Sequence, residues 1–85
     1  METTITDKEY TSSCGTNFQV VYSQSKNIPR WYGIKATSTT DPEDFATAEN
    51  LFFTETEACE YCRWLAENDV YPISLCDVLA NIYIL

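Results

Sequence analysis

The 85-residue sequence predicts an α+β domain: a small three-stranded antiparallel sheet, in β-β-β-α-α order, covered on one face by helices. Three observations lead there. Residues 17–37 contain two stretches of strand-like apolar patterning joined by turn formers. Residues 54–57 read as the start of a helix. Leu75, Val78, Leu79 and Ile82 then recur at the i, i+3, i+4, i+7 spacing of a second helix.

In "NFQVVYSQ", Phe18, Val20 and Tyr22 alternate with Gln19, Val21 and Ser23, the period of a half-buried strand. "SKNIP" follows with turn-forming residues, and Pro29 disfavours a continued ladder. "RWYGIKAT" places Tyr32, Ile34 and Ala36 on one face, with Trp31, Gly33 and Lys35 on the other. So short a connection joins neighbouring strands as an antiparallel hairpin. Residues 1–15, polar and rich in threonine and serine, read as a loose tail or an irregular first strand of one domain spanning 1–85. "STTDPEDFATAEN" breaks the pattern. It reads either as a helical turn, with Asp41 as cap and Pro42 at the first position, or as an ordered acidic loop. "NLFFT", residues 50–54, then reads as the third strand.

Thr54 and Glu57 fit a capping box, the threonine capping and the glutamate reaching back. The helix should run from about Glu55 to Asn68, where Asn68-Asp69 and then Pro72 supply stop signals. At 100° per residue, Ala58, Cys62 and Leu65 share one face, flanked by Cys59 and Ala66. Glu60, Arg63, Trp64 and Glu67 fall opposite, with Glu57 nearby. Arg63 has the spacing to pair with Glu60 and Glu67. Ser74 is positioned to cap the second helix.

Composition limits function. A hydrophobic content of 45% with only two glycines and three prolines describes a folded domain rather than a disordered one. Thirteen acids against five bases and no histidine leave a net charge of −8. Such a chain is repelled by nucleic acid, whose binding requires cations to displace counterions, and by anionic membranes. Acidity serves solubility, or docking onto a basic surface. No stretch is long enough to span a bilayer, and "METTITDKEY" lacks the basic start and apolar core of a signal peptide, so the expected setting is soluble and cytoplasmic.

Four cysteines, Cys14, Cys59, Cys62 and Cys76, match the ligand count of a structural zinc site, and a small regulatory domain stabilised by a four-cysteine zinc site is the alternative reading. Against it, no glycine or proline interrupts the Cys59/Cys62 pair, and the capping box places both inside a helix. Glu57 and Glu60 beside Cys59 also disfavour the thiolate that redox chemistry needs. The plainer assignment makes Cys59, Cys62 and Cys76 small core residues, with no metal or cofactor. Without histidine, Cys-His and Ser-His-Asp arrangements are impossible, and two glycines cannot build a phosphate loop. The chain reads as non-enzymatic.

The surface carries the functional signal. From Asp41 to Asp69 the acids Asp41, Glu43, Asp44, Glu49, Glu55, Glu57, Glu60, Glu67 and Asp69 are opposed only by Arg63. Trp64 falls on the charged side of its helix unless it folds over the sheet edge or the amino-terminal segment, and Trp31 has the same ambiguity. An aromatic ringed by carboxylates suits a basic protein partner. The candidate partner-binding residues are Glu57, Glu60, Trp64 and Glu67, with Asp41, Glu43 and Asp44 as a second acidic patch. A homodimer that buries the exposed aromatics is the other arrangement consistent with them.

Tyr32-Gly33-Ile34, the strand–helix at 51–68, and Pro72, Leu75, Asp77 and Val78 resemble an uncharacterised family of small Firmicutes proteins. Its pattern is Y-G-I in a strand, then strand–helix, then S-P-x-H-L-x-D-V; Tyr71 here replaces the serine and Ser74 the histidine. The likeness covers about half the chain and implies a bacterial or phage origin. In size and acidity the chain is also similar to phage anti-defence proteins, including anti-CRISPR inhibitors that occupy nucleic-acid-binding grooves. Together these imply an acidic inhibitor or adaptor that docks on a nucleic-acid-handling protein.

Overall fold

The computed structural model describes residues 2–23 and 31–82, with side chains for 9–22 and 31–82. It is α+β, with an antiparallel sheet and two helices, but the sheet has four strands rather than three, in the order β1-β2-β3-β4. These are β1 (Glu2–Thr11), β2 (Thr16–Ser23), β3 (Tyr32–Ser38) and β4 (Phe45–Phe52). Helix α1 (Glu55–Glu67), a 3-10 turn (Pro72–Ser74) and α2 (Leu75–Ile82) follow.

The additional strand is the amino-terminal segment, which is the irregular strand and not a loose tail. β1 pairs with β2 through Ile5↔Val20 and again through Glu9↔Gln19, so three residues on β1 are bulged between those pairs. The bulge destroys the period of two that would have marked the strand in the sequence. Residues 12–15 form the turn, closed by the Gly15 N–H donating to the Ser12 carbonyl at 3.2 Å. Gly15 sits at φ +88°, a left-handed conformation that glycine adopts without steric cost. β2 and β3 pair antiparallel as expected, from Thr16↔Ser38 to Tyr22↔Tyr32. The expected turn at 25–29 lies outside the described residues.

The acidic segment after β3 is an ordered turn, not a helical one. Asp41 Oδ1 accepts from the Glu43 N–H at 3.1 Å, and the Asp44 N–H donates to the Asp41 carbonyl at 3.0 Å. β4 therefore begins at Phe45, five residues before the expected strand. Its register shifts between Tyr32↔Phe52 and Ile34↔Ala48, and Asn50 at φ +56° sits in the resulting bulge. Gly33 faces this irregularity: a Cβ there would lie 2.1 Å from the Ala48 carbonyl oxygen.

Both helices cover one face of the sheet. α1 lies across β1, β2 and β3, while α2 and the 3-10 turn pack against β4. The core joins Phe18, Val20, Ile34, Ala36, Ala48 and Phe52 to Ala58, Cys62, Leu65, Val70, Leu75 and Leu79. Each large side chain in it contributes about 1.5–3 kcal/mol of burial. The apolar face read from the α1 sequence is the buried one.

Cys76 is a surface residue and not part of the core. Leu75 and Leu79 face the core, and Cys76, one residue past Leu75 and about 100° around the helix, is exposed. Ser74 also belongs to the 3-10 turn that opens at Pro72 and leads into α2, so it starts no helix as a cap.

Candidate functional site

Three local devices fix α1 and thereby the residues it displays. At its start, Thr54 Oγ1 accepts from the Glu57 N–H at 3.2 Å. No hydrogen bond from the Thr54 N–H back to the Glu57 carboxylate accompanies it, and Glu57 Oε1 is enclosed with no hydrogen-bond partner. In the middle, Tyr61 stacks on Phe52 with ring centroids 5.0 Å apart. At the end, the Val70 N–H donates to the Leu65 carbonyl and the Asp69 N–H to the Ala66 carbonyl, both at 3.2 Å. That is a Schellman termination with Asp69, at φ +51°, where glycine usually stands.

Asp69 has a second role. Its Oδ1 accepts from the Ser13 N–H at 3.1 Å, the Ser13 hydroxyl at 2.6 Å and the Cys14 N–H at 3.3 Å. The Cys14 thiol donates to the Asp69 carbonyl at 3.5 Å. The end of α1 is thus fastened to the β1–β2 turn, a contact between segments far apart in the sequence.

With α1 so placed, Glu60, Arg63, Trp64 and Glu67 are all exposed. Trp64 is 40% exposed and lies on the charged side of the helix. Its backbone carbonyl is held by the Asn68 side-chain amide at 2.8 Å. Neither Glu60 nor Glu67 forms an ion pair with Arg63 among the described residues, although the spacing permits it. Trp31, by contrast, is half-buried and meets the Tyr22 ring edge-on at 6.1 Å.

Glu60, Tyr61, Trp64 and Ile82 line an open groove of about 310 Å3 between α1 and the end of α2. Of the sequence-derived candidates, Glu60 and Trp64 meet there. Glu57 shares their flank by helical spacing but is half-buried, and Glu67 lies on the solvent side beyond the groove. Asp41, Glu43 and Asp44 occupy the β3–β4 turn. That turn belongs to the end of the sheet carrying the β1–β2 turn, since Thr39 donates to the Gly15 carbonyl through both its N–H and its hydroxyl. Of the candidate acids, only Glu60 lines the groove. Tyr61 and Ile82 are the groove residues that sequence reasoning missed; Tyr61 flanks the core stripe of α1 and Ile82 joins it only through the α1–α2 turn.

The cysteines occupy different surroundings. Cys14 is half-buried beside Asp69, Cys59 is half-buried, Cys62 is buried and Cys76 is exposed, all as free thiols. Among the described residues no three cysteine, aspartate, glutamate or histidine side chains gather in an arrangement that could hold a metal ion. Burial, with the neighbouring Cys59 adding to it, pushes the Cys62 thiol from its ordinary 9.0 to about 12. Cys62 is therefore a protonated packing residue at neutral pH. No described helix is long and apolar enough to cross a membrane. Compared with known proteins, the chain matches no family model, no curated protein and no solved structure.

Proposed function

We propose that this chain is a non-enzymatic acidic binding module that docks on the basic surface of a nucleic-acid-handling protein, as an inhibitor or adaptor of the anti-defence type. The observation that carries the reading is Trp64: a large aromatic, 40% exposed, on a helix flank with Glu60 beside it, in a chain of net charge −8. A solvated helix face needs no such residue. Tryptophan dominates interface hot spots because it removes a large area from water, while surrounding carboxylates give attraction and register toward a cationic partner. Occupying a basic groove would exclude the phosphate backbone for which that groove is shaped.

The test is affinity capture from a bacterial host lysate, comparing the natural chain with Trp64→Ala between about 0.1 M and about 1 M salt, where the screening length falls from about 10 to about 3 Å. The expected outcome is retention of a basic protein that weakens steeply with salt and drops at least about thirtyfold in the variant, the size of an interface hot spot of about 2 kcal/mol. Retention that ignores both salt and Trp64 would contradict it.

A further inference from the structure

The groove beside Trp64 has a chemistry more specific than general acidity. We propose that it is a receptor for an arginine side chain, taking the guanidinium flat against the Trp64 indole and pairing it with the Glu60 carboxylate. This deepens the proposed function and rests on it, since the arginine would belong to the basic partner.

The groove volume of about 310 Å3 stands at the bottom of the range of about 300–1,000 Å3 that holds small ligands, a size suited to one long side chain. Its described lining is one carboxylate, two aromatics and one aliphatic residue, with no cation. Among the described lining residues an anion meets no counter-charge, whereas a cation meets Glu60. Glu60 is exposed and forms no ion pair with Arg63 among the described residues, so its carboxylate is available at the rim. Glu57, with Oε1 enclosed and unpaired, adds negative potential on the same flank.

Arginine is favoured over lysine by the mixed lining. A guanidinium is planar and weakly hydrated, so it stacks on an indole and still presents two parallel N–H groups to a carboxylate. The compact ammonium of lysine is strongly hydrated and loses more on entering a groove walled by Tyr61, Trp64 and Ile82. Cation–π attraction is also strongest over tryptophan.

The experiment titrates the full chain, isotopically labelled, with a tetra-arginine peptide and separately with a tetra-lysine peptide, following the Trp64 indole N–H resonance by NMR. The expected result is saturable movement of that resonance and binding of the arginine peptide at least about fivefold tighter than the lysine peptide. Trp64→Phe and Glu60→Gln should each erase most of that preference, while Asp44→Asn, on the β3–β4 turn and outside the groove lining, should leave it intact. Equal affinity for the two peptides, or a Trp64 indole that does not move, overturns the arginine receptor while leaving acidic docking standing. Failure of both peptides to bind at low salt overturns this inference and the proposed function together.

Discussion

Asp69 is the residue at which helix termination and tertiary assembly meet. A non-glycine residue at φ +51° stores strain of about 1–3 kcal/mol, yet its carboxylate collects three donors from Ser13 and Cys14. Glycine would relax the turn but release the β1–β2 hairpin. Asp69→Ala, which keeps the strain and loses the donors' partner, should cost about 1–3 kcal/mol in urea denaturation. Asp69→Asn retains an acceptor and tolerates the left-handed backbone, so it should cost less than the alanine variant. Equal losses in the two would mean that the hydrogen bonds to Oδ1 contribute nothing.

Cys62 supplies the pH dependence. Its folded thiol, at about 12, holds its proton where the unfolded thiol, near 9.0, has lost it. The unfolded state therefore binds fewer protons between those values, and stability present below about pH 9 declines as pH rises toward 12. Cys62→Ala should remove that part of the decline. At pH 8 an aromatic disulfide reagent should label exposed Cys76 quickly and buried Cys62 only upon unfolding. Rapid labelling of Cys62 in the folded protein would contradict its placement in the core.

At the scale of elements, the β3–β4 pairing depends on Gly33. A methyl group there would meet the Ala48 carbonyl oxygen at 2.1 Å and the Glu49 Cα at 2.8 Å, both backbone atoms that cannot rotate aside. Gly33→Ala should therefore destabilise the protein by about 3 kcal/mol or more, measured by thermal unfolding. A neutral substitution would show that the bulge at Asn50 is mobile enough to yield. This irregularity also explains what the sequence concealed. α1 was legible because its cap, its apolar stripe and its stop all lie within one short run of neighbouring residues. β1 was not, because a bulge interrupts it, and the first half of β4 was not, because the bulge at Asn50 cuts it off from Leu51 and Phe52 and the small residues Ala46 and Ala48 mark a strand only through their pairing with Ala36 and Ile34. The candidate groove was half legible for the same reason. Helical spacing places Glu60 beside Trp64, whereas Ile82 reaches them only because the termination at Asp69 and the 3-10 turn at Pro72 bring α2 back.

Across the whole molecule, the net charge of −8 and the exposed aromatics are the features on which the proposed association rests. The net charge of −8 acts over a screening length of about 10 Å at 0.1 M salt, a field that would attract the proposed cationic partner before contact. Exposed Phe45 opens β4 and exposed Phe53 directly follows it, and Phe45 carries the Lys35 ammonium 5.3 Å over its ring. The most direct measurement is hydroxyl-radical footprinting of the two tryptophans, in the free protein and in its complex with the captured basic partner. Trp64, open in the free chain, is expected to become strongly protected while half-buried Trp31 changes little. A complex in which Trp64 oxidises as fast as in the free protein would contradict it.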